Sequence, residues 1–114
     1  MSAITTHVLD TARGRPAAGV GVTLEQHAES HGWREVGRAI TDADGRARDL
    51  LPEGERPAAG AWRLRFAVGH YQASAGGHSF YPEVTVEFTV DEPGAHYHVP
   101  LLLSPFGYTT YRGS

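Results

Sequence analysis

The strongest constraint on how this chain can fold is an alternation of period two, cut at short intervals by glycine- and proline-rich turns. Trp62, Leu64, Phe66 and Val68 share one side of a run whose other side carries Arg63 and Arg65. Val84, Val86, Phe88 and Val90 alternate with Thr85, Glu87 and Thr89, and Val20, Val22 and Leu24 repeat the pattern over a shorter stretch. Successive side chains of a strand point to opposite faces, so each run offers one β-branched or aromatic face to a core. Between the runs lie Arg13-Gly14-Arg15-Pro16, Ser30-His31-Gly32, Asp42-Ala43-Asp44-Gly45, Pro52-Glu53-Gly54, Asp91-Glu92-Pro93-Gly94 and Ser104-Pro105-Phe106-Gly107, each a turn by its residue chemistry. Short strands at this spacing predict an all-β antiparallel sandwich or barrel. A helix fits only around residues 70–79, where Gly76-Gly77 keeps it short.

One segment departs from the in-and-out rule. In His96-Tyr97-His98-Val99-Pro100-Leu101-Leu102-Leu103, one face carries Tyr97, Val99, Leu101 and Leu103. The other carries His96, His98, Pro100 and Leu102, part imidazole and part apolar. A strand apolar on both sides is covered on both sides. In a small sandwich the second cover is most easily another subunit, which predicts a symmetric homo-oligomer. Residues on the outer face of such a sheet can then line a sheltered site.

Composition narrows the chemistry. At 114 residues the natural count is one domain, residues 1–114. No cysteine is present, which excludes disulfides, thiolate nucleophiles and Cys-based zinc or redox sites. All ten basic residues are arginine, so Schiff-base and P-loop lysine chemistry are excluded too. Seven histidines are left as the main groups that titrate near neutrality. The net charge of −3 and the scattering of the arginines argue against a nucleic-acid surface. No apolar stretch approaches the roughly 18 residues of a membrane helix, so no membrane partner is expected. The first residues, Met1-Ser2-Ala3-Ile4-Thr5-Thr6-His7, lack the features of a secretory signal, and a cytoplasmic location is expected.

Several residues are candidates for chemistry. His96 and His98, two apart on a strand, project from one face. They could be two metal ligands, a general base with a structural neighbour, or a polar pair at a subunit contact. No HExxH motif or cysteine cluster supplies the further ligands a metal needs. If Ile4 and Val8 face the core, His7 faces outward with Thr5. Arg46 follows the Asp44-Gly45 turn, either as a solvated turn residue or as a planar fork for a carbonyl-rich ligand. Reading Asp42-Ala43-Asp44-Gly45 as a calcium loop fails, because Ile40 and Leu51 then stand where carboxylates are needed. No GxSxG elbow supports a serine nucleophile. Tyr108-Thr109-Thr110-Tyr111 reads as a strand close to Ser114, which suggests that the last residues are tied into something.

Five pieces of the chain, in register, then carry a family likeness. They are His7-Val8-Leu9-Asp10, Gly14-Arg15-Pro16-Ala17, Thr41-Asp42-Ala43-Asp44-Gly45-Arg46, Phe80-Tyr81-Pro82-Glu83, and His96 through Pro105. With the closing Tyr111-Arg112-Gly113-Ser114, the chain resembles the 5-hydroxyisourate hydrolases, the enzyme branch of the transthyretin-like family. The resemblance implies an eight-stranded antiparallel sandwich of the transthyretin (prealbumin, immunoglobulin-like) type with one short helix. It implies a homotetramer, a dimer of dimers with the sites at the dimer–dimer interface. It also implies hydrolysis of 5-hydroxyisourate to 2-oxo-4-hydroxy-4-carboxy-5-ureidoimidazoline in urate degradation, with no metal or organic cofactor. By the same resemblance His7, His98 and Arg46 are catalytic and also bind substrate, and Ser114 lines the pocket. Tyr111 and Arg112 shape it, and the part of His96 is left open. Thr109-Thr110 and the arginines at 63 and 65 depart from the family pattern without touching a matched catalytic position. Two other readings keep the same residues: a transthyretin-like carrier of an aromatic ligand, and a metalloenzyme built on His7, His96 and His98.

Overall fold

A computed structural model describes residues 2–114. In chain order its elements are β1 (Ile4–Asp10), β2 (Arg15–Pro16), β3 (Gly21–Ala28), β4 (Gly32–Ile40), β5 (Arg46–Ala47) and β6 (Gly60–Phe66). They continue with α1 (Val68–Ser74), β7 (Val84–Val90), β8 (Tyr97–His98), β9 (Leu101–Leu103) and β10 (Tyr108–Thr110). One sheet runs β4-β3-β6-β7, and the other runs β10-β9-β1-β2 with β5 and β8 also on β1. The fold is the expected all-β sandwich with a single short helix.

The alternating runs form the core as their pattern requires. Leu24, Leu64, Phe66, Val84 and Val22 from one sheet meet Ile4, Val8, Leu101 and Leu103 from the other, all at 0–1 % exposure. Burying a side chain of this kind is worth about 1.5–3 kcal/mol, so two facing sheets hold the sandwich without disulfides. Arg63 and Arg65, on the opposite pleat of β6, are not idle surface charges. They clasp Glu25, only 7 % exposed on β3, and Arg65 also grips Glu83 through two 3.0 Å bonds. Burial pushes the Glu25 carboxyl up, and the bonds and charges of the two arginines outweigh it and hold it below its ordinary range.

Two local expectations are corrected. Val68 is buried as the alternation requires, but the strand ends at Phe66 and Val68 opens α1. A helix starting there buries Val68 just as well, so periodicity alone cannot separate the two. The helix therefore begins earlier than residue 70 and closes at Ser74, before the two glycines. The long segment after His96 is also two strands rather than one. Pro100 has no N–H for the ladder, and the Thr6 hydroxyl donates to the carbonyl of Val99 at this break.

The strand β1 is the hub that positions the site. It pairs in parallel with β8 and β9, and antiparallel with β2 and β5. These parallel pairs qualify the otherwise antiparallel sandwich. The chain crosses from β7 in one sheet to β8 in the other, and the direction of arrival leaves no trace in a period-two pattern. Its consequence is local: Thr5 lies beside His98 on one flank of β1, and His7 beside Arg46 on the other.

Candidate active site

On β1, Ile4, Thr6 and Val8 point into the core and are fully buried, so Thr5 and His7 lie on the outer face. Strand partners in register share a face, which places His98 with Thr5 and Arg46 with His7. Three of the expected residues, from three strands, thus meet on one sheet face. Thr5, Thr6, Arg46, Arg48, His96, His98 and Ser114 line an open cleft of about 320 Å³ there.

Arg46 is held by the turn that precedes it. The Asp42 carboxylate accepts the backbone N–H of Arg46 at 3.0 Å and that of Asp44 at 2.9 Å, while the Asp42 N–H donates to the Arg46 carbonyl. These bonds, that of Arg46 foremost, hold the Asp42 carboxyl below its ordinary range. Gly45 has φ +76°, and a Cβ there would stand 2.4 Å from the Val8 carbonyl oxygen. Only glycine fits both the left-handed backbone and the contact with β1.

His98 is half-buried. Its Nδ1 lies 2.8 Å from Thr5 Oγ1, and His96 Nε2 lies 3.0 Å from the same oxygen. The two rings are near-parallel at 6.3 Å. Burial first, then the charges of Arg46, His96 and His7, hold the His98 imidazole below its ordinary pKa. The arrangement therefore presents a neutral imidazole and a guanidinium to one space. Such a pair can activate water and stabilise an oxyanion.

The last residues are tied in, as expected. The Gly113 N–H donates to the His98 carbonyl at 2.8 Å, forming a bridge that brings Ser114 to the cleft. A Cβ on Gly113 would sit 2.7 Å from His98 Cδ2, so the ring rests against bare backbone. We predict that Gly113→Ala displaces the His98 ring and lowers kcat about tenfold to a hundredfold with little loss of Tm. Steady-state kinetics beside a thermal melt checks it.

Tyr111 and Arg112 stand apart from the histidines. They line a neighbouring cleft of about 310 Å³ with Phe88, Asp91, Tyr97 and Val99. The Arg112 guanidinium stacks 4.3 Å from the Tyr97 ring centroid and reaches the His96 carbonyl at 3.4 Å. Within one chain they flank the site rather than line it. Thr5 escaped functional notice in the sequence, where it is one of several threonines. Its position beside His98 depends on the parallel pairing of β1 with β8. Among the described residues, no three His, Asp or Glu side chains converge as a metal site would need.

A two-sheet β-sandwich thus carries an imidazole–guanidinium cleft on the outer face of one sheet. The chain belongs to the HIUase/Transthyretin family, whose model matches residues 4–113. A 5-hydroxyisourate hydrolase of Caulobacter vibrioides is 49 % identical over 119 residues, covering 100 % of each chain. The solved 5-hydroxyisourate hydrolase of Klebsiella pneumoniae superposes with a TM-score of 0.84 at 34 % identity, covering 100 % of each chain. Transthyretin from Sparus aurata superposes with a TM-score of 0.90 at 32 % identity, covering 99 % of this chain and 97 % of its own. The backbone is thus common to enzyme and transthyretin, and sequence identity is higher to the Caulobacter hydrolase. The expected family and hydrolase kinship hold. No helix among the described residues is long and apolar enough to cross a membrane.

Proposed function

We propose that this chain is a hydrolase of 5-hydroxyisourate in urate degradation, with residues 1–114 acting as one domain in the cytoplasm. The observation that carries this reading is the meeting of Arg46, His98 and Ser114 in one cleft, with His7 on the same sheet face paired beside Arg46. Kinship with the Caulobacter and Klebsiella hydrolases supplies the substrate.

The chemistry follows from the side chains. Water attacks the carbonyl of a cyclic amide while a neutral imidazole removes its proton. The Arg46 guanidinium faces the developing oxyanion and the planar ring. Collapse breaks the C–N bond, the imidazolium returns its proton to the departing nitrogen, and the product carries a new carboxylate. This yields 2-oxo-4-hydroxy-4-carboxy-5-ureidoimidazoline. We assign the base to His98, whose burial and cationic neighbours favour the neutral form. His7 and Ser114 then orient substrate, and Tyr111 and Arg112 bind it from the rim. No cofactor enters the scheme, so a chelator-treated sample free of metal by elemental analysis retains full activity.

A homotetramer, a dimer of dimers with the sites at the dimer–dimer interface, completes the reading. Supporting it is the half-buried Leu102 on the histidine face of its sheet, an apolar side chain that a second subunit would cover. The unpaired edges of β7 and β10 add to this. Sedimentation is expected to give about four times the 12.3 kDa chain mass.

The direct test generates 5-hydroxyisourate in place with urate oxidase and follows its absorbance at sub-stoichiometric protein. Many turnovers per chain are expected. A loss no faster than the spontaneous reaction, with ligand held stoichiometrically, establishes the carrier reading that the transthyretin likeness also permits. A bulky group fused after Ser114 is expected to lower activity at least tenfold more than one before Met1. Equal activity of the two fusions places Ser114 outside the site.

A further inference from the structure

We propose that Thr5 and His96 form a hydroxyl relay that holds His98 in the tautomer protonated on Nδ1, leaving the Nε2 lone pair facing the cleft. The proposal rests on the hydrolase reading for its kinetic part and on geometry for the rest.

A threonine hydroxyl has one proton to give and can accept from others. Thr5 Oγ1 stands between two imidazole nitrogens, His98 Nδ1 at 2.8 Å and His96 Nε2 at 3.0 Å. Thr5 is 3 % exposed, so its hydroxyl has little access to solvent as an alternative partner. If the Thr5 proton goes to His96 Nε2, His98 Nδ1 must donate to Thr5, and His98 Nε2 is a free lone pair. If the relay runs the other way, Thr5 donates to His98 Nδ1 and the His98 proton sits on Nε2. Only the first arrangement is a general base toward the cleft.

The cations decide the direction. The cleft wall facing His98 carries Arg46 on β5 and Arg48 in the loop just after it, with His7 on β1 paired beside Arg46. A lone pair directed toward guanidinium groups is favoured over an N–H directed toward them. His96 is exposed and free to carry its own proton on Nδ1, and Arg112 touches only its backbone carbonyl. His96 and Thr5 are thus positioning residues, acting on substrate only through His98.

The test labels the histidine ring nitrogens and reads the His98 tautomer by NMR in the substrate-free protein, with His98→Asn assigning the signal. The wild type is expected to show His98 protonated on Nδ1. In Thr5→Val, which keeps the shape and removes the acceptor of the Nδ1 proton while leaving the cations, the Nδ1-protonated share falls measurably in favour of the Nε2-protonated form. kcat then falls about tenfold to a hundredfold while KM stays within about twofold. Thr5→Ser restores both tautomer and rate, and the exposed substitution His96→Ala weakens both without risk to the fold. A wild-type His98 protonated on Nε2, or a tautomer unmoved in both Thr5→Val and His96→Ala, overturns the relay. Absent turnover in the wild type would refute the hydrolase reading instead, with the tautomer result still deciding the relay.

Discussion

His98→Asn is expected to leave a folded protein whose hydrolysis of 5-hydroxyisourate falls about 10²- to 10⁴-fold, the range typical of losing a general base. Asparagine is short and polar, so its amide can still meet the Thr5 hydroxyl that now lies 2.8 Å from the ring. The backbone bonds that fix this position do not involve the side chain. The Val99 N–H donates to the Thr5 carbonyl, and the Gly113 N–H donates to the carbonyl of residue 98. Tm should therefore stay within a few degrees of the wild type while kcat collapses. Retained wild-type turnover would remove His98 from the mechanism.

The pH dependence follows the same group. Burial, then Arg46, His96 and His7, hold the His98 imidazole below its ordinary value, so the neutral base persists to lower pH than in a free histidine. The acid limb of kcat/KM is expected below the ordinary imidazole value. The sign for stability is the reverse of a salt-bridged histidine. The unfolded chain takes up this proton first, so stability falls as pH drops from the ordinary value through the lowered one. His98→Asn removes that share of the acid loss.

Alternation made the core legible: Val84, Val86 and Val90 are buried and Thr85 and Thr89 exposed, as the pattern demands. His7 could be placed on an outer face because Ile4 and Val8 claim the inner one. What period two cannot encode is which strand lies beside which, and in what direction. The contact of Thr5 with His98 depends on that pairing alone. So does the offset of Tyr111 and Arg112 into the neighbouring cleft, where Arg112 finds the Tyr97 ring. The role of Arg63 and Arg65 is not legible in the sequence because their partner, Glu25, is 38 and 40 residues away and meets them across the β3–β6 ladder.

Arg46→Ala is expected to lower kcat/KM about 10²- to 10³-fold, comparable to removing one oxyanion donor. The loss can be read as chemistry because the turn does not depend on this side chain. Asp42 binds the backbone N–H of residue 46, its own N–H meets the carbonyl of 46, and Gly45 supplies the left-handed step. Alanine keeps all of these contacts and the pairing with His7. Two effects then separate. Loss of the planar donors weakens both binding and the transition state. Loss of the charge lets the His98 imidazole rise toward its ordinary value, moving the acid limb of kcat/KM upward. Arg46→Lys splits them, since lysine keeps the charge without the planar fork. The limb should stay low in Lys and rise in Ala, while the rate falls in both. An acid limb unmoved in Arg46→Ala would mean that this guanidinium does not act on His98 across the cleft.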